Sequence, residues 1–106
     1  MQLHVYRLVP VAREGDPNWD RAVSQGEVVV RARSSGDARV VASHAEAAAI
    51  TLREPLATTQ VEASALRDPK LYHVIQDDSG RYPDEGPRTV LKAMFQVPDD
   101  YIVSSD

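Results

Sequence analysis

Between Glu27 and Leu52 a valine-rich strand pattern runs straight into an alanine-rich helix pattern, and this junction constrains the fold more than any other stretch. Val28, Val29, Val30 and Ala32 precede Ser34-Ser35-Gly36-Asp37, after which apolar residues recur at helical spacing. Alternation over Glu27 to Arg33 predicts a strand with Val28, Val30 and Ala32 inward and Glu27, Val29, Arg31 and Arg33 on the opposite face. Ser34 or Ser35 is expected to cap the helix, and Ser34 with Asp37 has capping-box spacing. Ala38, Val41, Ala42, Ala45, Ala48, Ala49 and Leu52 fall on one stripe, with Arg39, Ser43 and Glu46 away from it. Pro55 ends the pattern, and Arg53 beside the last carbonyls suits the helix dipole.

Three more strands are expected. Leu3 to Val11 places Leu3, Val5 and Val9 on one face and His4, Tyr6 and Leu8 on the other, with Pro10 fraying its end. Lys70 to Asp77 and Arg88 to Val97 supply the third and fourth, the latter with Leu91, Ala93, Phe95 and Val97 on one face. Glu14 to Gln25 reads as a polar loop around Trp19. Thr58 to Gln60 reads as loop, and Val61 to Arg67 as a short helical turn stopped by Pro69. The order is β-β-α-β-β, an α+β fold with a four-stranded, mostly antiparallel sheet and one main helix on one face. The first two strands are expected to pair across the Trp19 loop, and the last two across Asp78 to Pro87.

At 106 residues the chain makes one domain over residues 1–106, with an acidic tail from about residue 98 expected to be mobile beyond Ile102. The sequence contains no cysteine, which removes disulfides and thiolate chemistry and fits a reducing cytoplasm. A formal charge of −4 argues against general affinity for nucleic acid or an anionic membrane. No apolar run approaches a membrane span or a secretory leader, so a cytoplasmic location is expected. Arginine outnumbers lysine ten to two, a bias expected of a GC-rich bacterial genome.

Few residues invite chemistry. Arg31, Arg33, Ser34, Ser35, Gly36 and Arg39 surround the helix N-terminus, where free N–H groups and nearby arginines suit a small ligand or anion. Against that, Asp37 already occupies the positive end of the dipole, so the plainer expectation is a capped helix flanked by solvated arginines. Trp19 is either an interaction hot spot or, as its rarity favours, an anchor into the core. His4, His44 and His73 match no compact metal-ligand spacing, and none has a local nucleophile beside it. The acids Asp77, Asp78, Asp84 and Glu85 lack the ligand alternation of a calcium loop and read as a solvated hairpin end. Neither a metal nor a cofactor is expected.

The run Gly26-Glu27-Val28-Val29-Val30-Arg31-Ala32 leading into Asp37-Ala38-Arg39, with Ser64-Ala65-Leu66-Arg67-Asp68 before Leu71-Tyr72, resembles small bacterial single-domain proteins of unknown function. That resemblance implies no activity and no site. The residues themselves favour a small non-enzymatic interaction module that self-associates, as a homodimer or with an unidentified protein partner, by edge pairing or by burying an uncovered sheet face. The alternatives are an anion-binding or small-ligand domain at Ser34 to Asp37, and an enzyme assembling a dispersed site from His4, His73 and acidic residues.

Overall fold

The structure is a computed structural model that describes residues 2–13, 15–17, 19, 26–54 and 64–97. Strands β1 (His4–Pro10) and β2 (Val28–Ala32) lead into helix α1 (Ser35–Arg53), followed by a short 3-10 turn (Ala65–Arg67) and strands β3 (Tyr72–Gln76) and β4 (Val90–Lys92). The expected tail from residue 98, the Thr58 to Gln60 loop and most of the Trp19 loop lie outside the described residues. The α+β architecture is as expected, with four antiparallel strands and one main helix.

The strand order is β3-β1-β2-β4. β1 pairs with β2 as expected, but β3 and β4 do not pair with each other. They occupy opposite edges, so residues 77–89 form a crossing segment instead of a hairpin end. The physical reason lies in β1, whose two faces and two edges are all used. β1 pairs with β3 from Tyr6↔Gln76 to Pro10↔Tyr72, and with β2 from His4↔Ala32 to Leu8↔Val28. The fourth strand is also shorter than expected, and its register shifts opposite Val29 and Val30.

Pro10 does not fray β1. Flanking bonds from Val11 N to Leu71 O and from Asp77 N to Val5 O set the alternation, so odd residues of β1 exchange bonds with β3. Even residues then face β2, which ends at Val28, opposite Leu8. The missing N–H of Pro10 falls where the ladder has no acceptor to fill, and the strand continues through it.

One sheet face carries Tyr6, Leu8, Val28, Val30 and Ala32, and α1 packs on it through Ala38, Val41, Ala42, Ala45 and Ala49. Alanines at these contacts bring the helix axis close to the strands. The stripe differs from expectation at two positions. Ser43 is fully buried, bonded to Val40 O and to Arg67, because a small hydroxyl fits where the 3-10 turn meets the helix. Leu52 is half exposed, since the last helical turn runs past the strands toward Met94.

The opposite face is covered over β2 and part of β1, while Ile75 and His73 of β3 stay exposed. Val5, Val29 and Arg31 are each no more than 5% exposed, because residues 77–89 pass over them. All five β2 residues are therefore buried, as a strand between two layers requires.

Candidate functional site

Ser34 caps α1 by accepting the N–H of Asp37 at 3.1 Å, and Asp37 Oδ2 accepts the N–H of Arg33 at 2.9 Å. The shorter aspartate reaches back one residue further than a capping-box glutamate would. Arg88 then places its guanidinium on both oxygens of Asp37. This pair holds the Asp37 carboxyl far below the usual carboxylate range, with the Arg33 N–H adding to the effect and burial opposing it.

The three arginines expected to be solvated near the helix start are drawn to three different places. Arg31 is buried and donates to Pro83 O and Pro87 O, both at 3.0 Å. Arg33 turns to Asp37 at 3.5 Å. Arg39 donates to Leu66 O at 3.1 Å and Tyr72 O at 2.7 Å, and burial lowers its hold on its proton while Asp68 opposes that. Ser35 and Gly36 are exposed at the first turn. Arg31 and Arg39 tie loops to the frame, which short-range reading cannot foresee because their acceptors lie 27 to 56 residues away.

Trp19 donates to Arg13 O at 3.1 Å and sets its ring edge-on to Tyr72 at 6.1 Å, packed against the core. Tyr72 is itself fully buried and donates to Gly26 O at 2.8 Å. Histidines do not converge. His4 and His73 lie toward opposite ends of β1's pairing, about 17 Å of strand apart, and on opposite sheet faces. His4 Nδ1 lies 3.9 Å from Asp84, whereas His44 and His73 are exposed. The dispersed His4 and His73 site is therefore not brought together. No group of three or more potential metal ligands occurs among the described residues.

Two features missed in the sequence stand out. The first is the outer edge of β3, which pairs with no strand among the described residues. The same alternation that turns odd residues of β3 toward β1 turns the backbone groups of Tyr72, Val74 and Gln76 outward. Tyr72 is satisfied by Asp68 O and Arg39, so among the described residues Val74 and Gln76 present the open ladder positions. Beside them Ile75 is 45% exposed, and the strand carries neither proline nor a charged side chain.

The second is a groove of about 280 Å³ between the crossing segment and the strands beneath, into which Arg7, Arg81 and Lys92 project. Residues from three strands and the crossing segment meet there only because β3 and β4 take opposite edges.

Compared with family models, with curated proteins and with solved structures, the chain matches none of them. The described helices include none long and apolar enough to cross a membrane. Functional readings therefore rest on these two features.

Proposed function

We propose that the protein is a non-enzymatic interaction module that pairs with a second copy of itself along the edge of β3. The observation that carries this reading is the pair of outward ladder positions at Val74 and Gln76, flanking exposed Ile75 on an edge with no blunting device. Natural edge strands are usually protected by charge, proline or a bulge, and an unprotected one is a template for another strand.

Antiparallel pairing about a two-fold axis at Ile75 sets Val74 opposite the partner's Gln76, and the reverse, giving four hydrogen bonds. The two Ile75 side chains then meet at a close, non-hydrogen-bonded position. In the same register His73 lies opposite the partner's Asp77. The patch is self-complementary, which a two-fold dimer requires.

A five-residue edge buries less than the roughly 1,200 Å² of a standard interface, so association on the order of 100 μM is expected. Sedimentation of the full chain from about 10 μM to about 1 mM tests this. The expected result is a concentration-dependent monomer–dimer shift that Ile75→Lys removes while leaving the circular dichroism spectrum unchanged. A monomer throughout, or a dimer indifferent to Ile75→Lys, overturns the reading.

A further inference from the structure

We propose that the groove behind the sheet binds a small molecule through an oxyanion, a phosphate or a carboxylate. The protein carries a net charge of −4, yet three of its twelve cationic side chains line one recess of about 280 Å³. Arg7 comes from β1, Arg81 from the crossing segment and Lys92 from β4. An anion seated in this recess would be attracted by cations from three separate segments at once.

Two carboxylates, Asp77 and Glu27, share the recess and leave its lining with one net positive charge. Asp77 turns back on its own turn, accepting from the Ser79 hydroxyl at 2.9 Å and the Ser79 N–H at 3.3 Å. Glu27 meets Arg7 at 3.4 Å, with both side chains more than a third exposed, a pairing weak enough for a ligand to displace. Arg81 and Lys92 have no ion-pair partner among the described residues. Their guanidinium and ammonium groups supply donors suited to a planar or tetrahedral oxyanion.

The groove's size is near the lower bound for small-molecule sites, which fits a phosphate monoester or a short carboxylate. Val29 forms the floor and is 2% exposed, so the base of the groove is rigid sheet. This differs in place from the anion site expected at the helix N-terminus, where Asp37 is already occupied by Arg88.

Titration of the isotope-labelled full chain with inorganic phosphate and, separately, with succinate tests the site by amide NMR. Saturable shifts at Val29, Arg81 and Lys92 are expected with at least one probe, and the stronger of the two identifies the oxyanion. The double variant Arg81→Gln with Lys92→Gln alters exposed side chains only, and is expected to weaken binding about tenfold or more. No saturable shift with either probe up to about 20 mM, in the millimolar range where the weakest specific sites still bind, overturns the proposal. So does binding unchanged in the double variant. The readout residues are distinct from the β3 edge, so either proposal can fail alone.

Discussion

Arg88 and Asp37 meet across 51 residues of sequence in a two-pronged ion pair, with Nε donating to Oδ2 at 2.9 Å and the second arm on Oδ1. The side chains are 8% and 12% exposed, so the pair is shielded from solvent and salt. It fastens the segment entering β4 to the first turn of α1.

Removing one partner leaves a buried charge unmatched, so Asp37→Asn is expected to cost about 2–4 kcal/mol in denaturant unfolding at neutral pH. The pH dependence follows from the lowered Asp37 value. Between the folded and unfolded values the unfolded chain binds more protons, so stability rises with pH there. Asp37's contribution is fully present above its unfolded value near 4 and is lost as pH falls through the folded one. Asp37→Asn should therefore flatten the acid limb of the stability profile. Equal acid slopes in the two proteins would reject the assignment.

Gly86 is expected to be the less replaceable of the two glycines in the crossing segment. Its φ is +132°, and an added Cβ would lie 2.7 Å from the Arg31 guanidinium that holds the segment down. Gly80 also has positive φ, at +77°, but nothing lies within 4 Å of its added Cβ. Gly80→Ala is expected to cost about 1 kcal/mol, the backbone strain alone. Gly86→Ala is expected to cost about 2–3 kcal/mol, because strain and the Arg31 clash combine. Chemical denaturation of both variants provides the comparison, and a cost for Gly86→Ala no larger than for Gly80→Ala would show that the Arg31 contact does not constrain the loop.

What could be read in the sequence was local. The strand-to-helix unit around Ser34 follows from alternation, capping and periodicity, each set by neighbours within a few residues, and α1 runs Ser35–Arg53 accordingly. The sheet order depended on which edge β3 would choose, and hydrophobic alternation carries no information on that. Arg31 illustrates the consequence. Its place on the back face of β2 was evident, but its burial follows from a segment that reaches it only because β3 and β4 lie apart. The β3 edge and the groove were hidden for the same reason.

Tyr72 links three parts of the molecule, through its hydroxyl to Gly26 O, its ring to Trp19 and its carbonyl to Arg39. Tyr72→Phe keeps the ring and is expected to cost about 1–3 kcal/mol, since the Gly26 carbonyl loses a buried donor. Hydrogen exchange at Gly26 and Glu27 should rise in the variant while exchange in α1 stays slow. Uniform acceleration across the domain would instead mean that the hydroxyl supports the global fold more than the β2 entry.

Proline substitution at adjacent positions separates the two edges of β3. By the alternation set at Leu71 and Asp77, the N–H of Ile75 points into the β1 ladder and that of Gln76 points out. Gln76→Pro removes only an outward donor and is tolerated on an edge strand, so the monomer should keep its spectrum and lose about 1 kcal/mol or less. Ile75→Pro breaks an internal bond of the sheet and is expected to cost about 3 kcal/mol or more. If β3 is the self-association edge, Gln76→Pro should abolish the dimer at concentrations where the unaltered chain forms it. A well-folded Gln76→Pro protein that still dimerises would place the interface elsewhere, and equal destabilisation by the two prolines would show that the register assigned to β3 is wrong.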